Sequence, residues 1–433
     1  MPNENNLKEE IFENIREIVK LRKQEFVPGK TEIQYSGAVL DEKEIIAVTE
    51  TILKGWLGLG DKGLELERTL RDAIGGKACF LTNSGSSSNL LAITAIKQLL
   101  KQDKTEVVVP ACSFPTTVNP IVQNNLVPVF VDCELDTYNP TPDSIEKAIT
   151  DKTGAIAITH TLGNPCEMDK IIKIAQENNL FLLEDTCDAL GSKYNNSPCG
   201  SFGDLSTYSF YPAHHMTMGE GGAVVANNPN LIRIAESLRS WGRDCWCRPG
   251  VSNTCGKRFG WKQGDLPFGY DHKYIFTHIG YNLKPTELQA AIGLEQIKKL
   301  PFFESTRKKN FNTLYKAFKK YSDYFILPKS SDKADACWFS FPITIKDGAS
   351  LKRAGITSFL EANKIHTRTV FSGNIIRQPA YKNVKYRVQG DLKNSDKIMQ
   401  DTFFLGVYPG ITEEMMNYIV EKVEQLMVEG GKT

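Results

Sequence analysis

Apolar and polar positions along this chain repeat with two different periods, and the changes of period mark its elements. Between residues 7 and 23, Ile11, Ile15, Ile18 and Val19 recur at three- and four-residue intervals among Lys and Glu, the spacing of one helix face. Pro28 and Gly29 break the chain. A second amphipathic stretch at about 41–54 ends near Gly55. From about 62 to 235, helix-like stretches (62–73, 86–100, 142–150 and 167–178) separate short apolar runs at 78–81, 106–109, 127–131, 155–159 and 180–183. Short apolar runs alternating with helices predict buried strands of a mainly parallel sheet, with helices on both faces.

The rhythm stops at 236–275. That stretch holds Cys245, Cys247 and Cys255, is rich in glycine and has little periodicity. Long irregular loops inside a domain are uncommon unless functional. A helix is predicted at 284–300, with Pro285 in its first turn and Glu287 near its start. From about 305 a long helix leads into a smaller α+β segment with apolar runs at 338–345 and 402–408. The expected division is an N-terminal helical segment (1–35), a large α/β domain (36–304) whose Cys-rich loop spans 241–275, and a small C-terminal α+β domain (305–433). No internal repeat or low-complexity tract is visible.

Composition narrows the function. Lys plus Arg number 52 and Asp plus Glu 51, a formal charge of +1. That balance argues against a nucleic-acid groove or a basic membrane face. Hydrophobic residues make up 41% and charged residues 24%, ordinary globular composition. No apolar run reaches the roughly 18 residues of a membrane span. The charged N-terminus lacks the apolar core of a signal peptide. A cytoplasmic protein is expected, in which clustered cysteines point to metal or redox chemistry rather than disulfides.

Three segments carry candidate chemistry. Thr82-Asn83-Ser84-Gly85-Ser86-Ser87-Ser88-Asn89 lies between a predicted strand and a predicted helix, where backbone N–H groups and hydroxyls can meet an anion. The plainer account is an ordinary N-capped helix. Glu184-Asp185 ends an apolar strand, at the end where open α/β sheets bind ligands; the plainer account is a turn or capping aspartate. Ser209-Phe210-Tyr211-Pro212-Ala213-His214-His215 leads into Gly219-Glu220-Gly221-Gly222.

In order and spacing these segments, with Gly55-Trp56-Leu57 and Gly280-Tyr281-Asn282, resemble the sugar aminotransferase family built on the pyridoxal phosphate fold type I scaffold. The resemblance runs from about residue 35 to the C-terminus. It implies an aspartate aminotransferase-like fold: a large, mostly parallel-sheet cofactor domain and a smaller C-terminal α+β domain. It also implies site roles. Gly85, Ser86 and Ser209 hold the cofactor phosphate, and Asn282 reaches the phosphate in the neighbouring subunit of a homodimer. Phe114 stacks on the pyridine ring. Asp185 pairs with the ring nitrogen and keeps it protonated, which makes the ring an electron sink.

One position departs from the family. Its aminotransferases carry a lysine five residues after the Ser of Ser-Phe, and here that position is His214. Histidine forms no lasting covalent bond to the cofactor, so pyridoxamine phosphate (PMP, the amine form of PLP) is expected to be held non-covalently. Imidazole still moves protons near neutral pH. Histidine for lysine resembles the branch of sugar 3-dehydratases, which remove the C3 hydroxyl of nucleotide-linked 4-keto-6-deoxyhexoses. Asp188, where the aminotransferases often carry His or Gln, either assists the proton and electron steps or is a local hydrogen-bonding residue.

The cysteines refine this. Cys187, Cys245, Cys247 and Cys255 follow the pattern C-x57-C-x-C-x7-C. Four thiolates suit a [2Fe–2S] cluster or a structural zinc ion, and the spacing alone leaves the metal open. The set resembles the iron–sulfur-dependent branch that acts on CDP-4-keto-6-deoxyglucose, which implies these four as cluster ligands. The other six cysteines are scattered and are expected to be small buried side chains. On this resemblance His214 takes the proton and the C3 hydroxyl leaves. Two electrons come from a separate flavin and iron–sulfur reductase fed by NAD(P)H. A CDP-4-keto-3,6-dideoxyhexose results, destined for surface polysaccharide such as lipopolysaccharide O-antigen. Arg368, Phe371-Ser372-Gly373-Asn374 and Gln378-Pro379 resemble the segment that closes over the substrate. Alternatives are a dehydratase for a TDP- or GDP-linked sugar and a noncatalytic protein with a structural zinc site. A plain aminotransferase is disfavoured by His214.

Overall fold

The computed structural model of the protein describes residues 3–22 and 25–430. The apolar runs of its first half become neighbouring strands: β1 (Ala78–Thr82), β2 (Glu106–Pro110), β3 (Val127–Val131), β4 (Thr153–Thr159) and β5 (Phe181–Asp185). Two more follow, β6 (Leu205–Ser209) and β7 (Gly222–Ala226). With the short strand Arg387–Val388 they form an eight-stranded sheet in the order β1-β7-β6-β5-β4-β2-β3, then Arg387–Val388. Every pair from β6 to that edge is parallel. Strand β7 alone runs against its neighbours β1 and β6. The apolar pattern marks the first five strands but not β6, because Ser206, Thr207 and Ser209 interrupt it. Ser206 and Thr207 are nonetheless fully buried, since helices cover both faces of the sheet.

The helix Gly85–Leu99 leaves β1 after a two-residue turn, and Ser84 caps it by accepting the N–H of Ser87. Leu91, Ala92, Ile93, Ala95 and Ile96 are all buried, so this helix is covered on several sides and shows little amphipathic contrast. The first predicted helix forms as Glu4–Leu21; its expected last residue, Lys23, lies outside the described residues. A short helix at Pro115–Gln123 was not apparent from periodicity, which Pro115 and Pro120 obscure.

The largest difference from expectation is at 284–319. Two helices with a break near 300–305 are replaced by one, Glu287–Lys319, which continues through Pro301. Proline forfeits one backbone hydrogen bond, but Leu294 before it and Phe303 and Phe311 after it are buried, and that packing keeps the helix intact. Pro285 lies just outside it, ahead of a capping box between Thr286 and Gln289. Residue 304, the expected domain boundary, therefore sits mid-helix. The C-terminal segment carries a four-stranded antiparallel sheet in the order Phe325–Ile326, Ser340–Ile345, Thr402–Gly406, Thr367–Arg368. Its core includes Phe341, Phe403, Leu405, Leu314 and Phe318.

The stretch 241–275 contains a single 3-10 turn, His272–Tyr274, and is otherwise irregular, as expected. Among the described residues no helix is long and apolar enough to cross a membrane.

Candidate active site

The parallel strands deliver their carboxyl ends to one crevice. A cavity of about 420 Å³ opens there, and Gly85, Ser86, Phe114, Asp185, Cys187, Asp188, Ser209, His214 and Arg368 all line it. Residues that are distant in sequence meet because β1, β5 and β6 end at the same level. Thr207 lies opposite Asp185 in the register of β5 and β6.

At one end of the cavity the helix Gly85–Leu99 begins, where Gly85, Ser86 and Ser209 line the wall. The approach of β6 requires glycine at 85: a Cβ there would meet the Ser209 Cβ at 2.4 Å. At Gly222 a Cβ would meet the Ser84 carbonyl carbon and oxygen at 2.6 Å. These two glycines let three chain segments crowd against a helix N-terminus, an arrangement suited to an anion.

At the other end Asp185 is buried, with both carboxylate oxygens engaged. Oδ2 accepts from the Asn89 amide at 2.9 Å and from the Thr117 hydroxyl at 2.7 Å, and Oδ1 accepts from the Cys187 backbone N–H at 3.2 Å. Asn89 is itself oriented by the Thr207 hydroxyl, at 2.6 Å. Every donor on Asp185 is neutral, so its charge is held in position but not cancelled. The residues fit a phosphorylated pyridine cofactor: an anion cradle at one end and, at the other, a fixed buried carboxylate for a protonated ring nitrogen. Phe114 forms part of the wall and meets Phe371 edge-on at 6.2 Å. Glu184, the other half of the motif, points away. It is fully buried, accepts the backbone N–H groups of Gly200, Phe202 and Gly203 at 2.6–2.8 Å, and meets His160 at 3.0 Å.

His214 stands over the cavity with its Nδ1 3.1 Å from Asp188 Oδ1. The contact is out of line for a hydrogen bond. Behind it Arg307 is fully buried and has no carboxylate partner among the described residues. It donates to the carbonyls of Phe339 at 2.9 Å and His214 at 3.1 Å. Burial holds its guanidinium well below its ordinary pKa, at about 10. The Ser36 hydroxyl donates to the Ala213 carbonyl at 2.5 Å. Together these fix the backbone that presents the imidazole.

Sequence reasoning missed Thr117, Thr207 and Arg307. Thr117 follows Phe114 without a recognisable motif, and Arg307 lies on a helix nearly a hundred residues from His214. Asn89 was findable, because it sits one helical turn after Gly85 and so shares its face. Asn282 does not line the cavity. It is exposed, and Lys284 Nζ donates to its side-chain oxygen at 2.6 Å.

The cysteines divide by exposure. Cys79, Cys112, Cys133, Cys166, Cys199 and Cys337 are buried, as expected, whereas Cys187, Cys245, Cys247 and Cys255 are partly exposed. Those four are the candidate ligands, yet among the described residues no three His, Cys, Asp or Glu side chains gather as a metal-binding group. Cys187 is in the cavity wall, where burial and then the Asp185 carboxylate push its thiol pKa up. The other three share the loop. Cys245 Sγ accepts the Cys247 N–H at 3.5 Å, Cys247 Sγ that of Thr254 at 3.3 Å, and Cys255 Sγ that of Lys257 at 3.4 Å. Burial acts to raise all three thiols; at Cys247 hydrogen bonds from Thr254 outweigh it, and at Cys255 the Lys257 N–H and the His272 imidazole do, so these two fall below the ordinary value, whereas Cys245 stays above it.

A mostly parallel sheet with a cofactor crevice at its carboxyl edge and a smaller α+β unit beside it defines the PLP-dependent aminotransferase-like fold. The chain belongs to the DegT/DnrJ/EryC1/StrS aminotransferase family, whose model matches residues 38–424. It is 48% identical to dTDP-4-dehydro-2,6-dideoxy-D-glucose 3-dehydratase of Saccharopolyspora spinosa, over 94% of this chain and 89% of that one. It is 47% identical to lipopolysaccharide biosynthesis protein RfbH of Salmonella typhimurium, over 97% and 98%. Among solved structures it resembles E. coli GDP-4-keto-6-deoxy-D-mannose-3-dehydratase with bound hydrated PLP, with a TM-score of 0.81, 29% identity and coverage of 90% and 100%.

Proposed function

We propose that this protein is a PMP-dependent 3-dehydratase of a nucleotide-linked 4-keto-6-deoxyhexose. The observation that carries the reading is His214: an imidazole beside Asp188 lines the cofactor-sized cavity at the position where the family's aminotransferases carry lysine. Two of the relatives above bear the name of 3-dehydratases.

Gly85, Ser86 and Ser209 bind the cofactor phosphate, Asp185 holds the ring nitrogen protonated, and Phe114 covers the ring. Asn282 completes the phosphate site of the neighbouring subunit in a homodimer. The cofactor, when bound, supplies a conjugated ring that stores an electron pair. With the cofactor bound, His214, beside Asp188, would accept the proton removed next to the ring and would return it to the departing C3 hydroxyl, which would leave as water. Neither residue bonds the cofactor, so borohydride is expected to trap no adduct with the protein.

The finer reading is that the substrate is CDP-4-keto-6-deoxyglucose, that Cys187, Cys245, Cys247 and Cys255 hold a [2Fe–2S] cluster, and that a flavin and iron–sulfur reductase supplies electrons. The product then enters 3,6-dideoxyhexose synthesis for surface polysaccharide. Support comes from the cysteine spacing, from the partial exposure of these four cysteines alone, and from the N–H bonds to three of their sulfurs. Four thiolates repel one another, and a cation at their centre is what draws them together. A dTDP-linked substrate is the second reading, favoured by the 48% relative.

The test is anaerobic purification with an absorption spectrum and iron, sulfide and zinc analysis, followed by turnover of CDP-, dTDP- and GDP-4-keto-6-deoxyhexoses with added PMP, with and without NADH and a flavin and iron–sulfur reductase. Two iron and two sulfide per chain, with turnover of the CDP sugar, is the expected result. Zinc or no metal removes the electron relay. Transamination of any of the three in place of C3 dehydration overturns the main reading.

A further inference from the structure

The Cys-rich loop has almost no regular structure, so something else must order it. Its centre is one imidazole. His272 is 1% exposed, an unusual burial for a residue of an irregular loop. Its Nε2 lies 2.6 Å from Asp244 Oδ2 and its Nδ1 lies 3.5 Å from Cys255 Sγ. Trp261 lies tilted against the ring, with centroids 4.7 Å apart and planes at 33°, and Trp246 meets it edge-on at 5.4 Å. Its own backbone N–H donates to the Arg258 carbonyl at 2.9 Å. Three segments of the loop, around residues 244–246, 255 and 261, therefore converge on this side chain, and a fourth, at 258, meets its backbone.

The geometry has a direction. Asp244 engages one ring nitrogen, which fixes the orientation of the ring and leaves the other nitrogen facing a cysteine sulfur. Trp261 adds a buried indole N–H. A carboxylate–imidazole pair behind a ligand atom is how metal sites orient the groups that bind metal.

We propose that His272 is a positioning residue for Cys255, and that Asp244 and the two tryptophans hold it so that it presents this sulfur to a metal site shared with Cys245 and Cys247. The proposal rests on the four-cysteine reading above and extends it to the groups behind the ligands. His272 touches neither substrate nor cofactor in this assignment, and it orders a sulfur atom.

Cobalt(II) titration of the metal-free, reduced full-length chain tests this without turnover. The readouts are thiolate-to-cobalt absorption and near-ultraviolet circular dichroism of the loop tryptophans. The wild type is expected to show the thiolate band, and His272→Phe to bind cobalt about 10–100-fold more weakly while keeping the tryptophan signal. His272→Asn, which restores a polar group near Nδ1, is expected to recover part of the affinity. Cobalt affinity in His272→Phe equal to wild type overturns the proposal. If His272→Phe loses the tryptophan signal, His272→Asn decides: a recovered signal without recovered affinity makes His272 a packing residue only. A wild type with no thiolate band instead sinks the four-cysteine reading, and this proposal with it.

Discussion

The cavity and the Cys-rich loop lie in one chain but are organised in opposite ways. Around the cavity, functional side chains sit at the ends of strands and at a helix N-terminus, and each is braced by neighbours that are themselves buried: Asn89, Thr117 and Thr207 behind Asp185, Arg307 behind His214. The loop has no sheet to hang from. It exposes Phe259, Phe268, Tyr270 and Tyr274 and closes around the single imidazole of His272. A site on regular elements is ordered before its ligand arrives, whereas a thiolate site on a loop gains its final geometry from the metal.

The sharpest way to break this contrast is to remove one thiol. Cys247→Ser is expected to abolish iron retention while leaving PMP affinity unchanged, read by metal analysis and by cofactor titration. Loss of both would show that the loop also supports the cavity. The converse change, His214→Asn, is expected to lower turnover about 10²–10⁴-fold with cofactor affinity and metal content intact. Retained turnover would remove His214 from the proton step.

Stability should separate the regions too. Glu184→Ala strands the buried N–H groups of Gly200 and Gly203 and the half-buried one of Phe202 beside the strand that carries Asp185, and is expected to cost about 3 kcal/mol or more in denaturant unfolding. The smallest effect belongs to the loop surface. Arg258 donates to Asp271 at 2.9 and 2.5 Å, and its guanidinium holds that carboxyl at about 2. A depressed carboxylate stabilises above its ordinary pKa of about 4 and loses that contribution as the pH falls toward 2. Asp271→Asn should therefore differ from wild type at pH ~5 and converge with it near pH ~2. The difference should be small and weakened by salt, because the pair is only partly buried; unfolding midpoints across that range check it.

Much of the cavity was legible from sequence because its residues are bound to local motifs. Gly85 and Ser86 follow a strand, Asp185 ends one, and Ser209 and His214 keep a five-residue spacing; all of them line the same crevice. The braces were not legible. Thr117 and Arg307 act across long separations, and nothing around either marks its partner. Pro301 signalled a helix end that burial on both sides overrode.

By itself the sequence determined the periodicities that make the parallel sheet, the motifs that place a cradle and a carboxylate at strand ends, the histidine that replaces lysine and the spacing of four cysteines. Only the tertiary structure decided that Asn89, Thr117 and Thr207 orient Asp185, that a buried arginine holds the His214 backbone, and that His272 joins distant parts of the loop. The reason is physical: local spacing encodes which face of an element a residue occupies, but a hydrogen bond between remote elements depends on where the packed core brings them, and no local pattern carries that information.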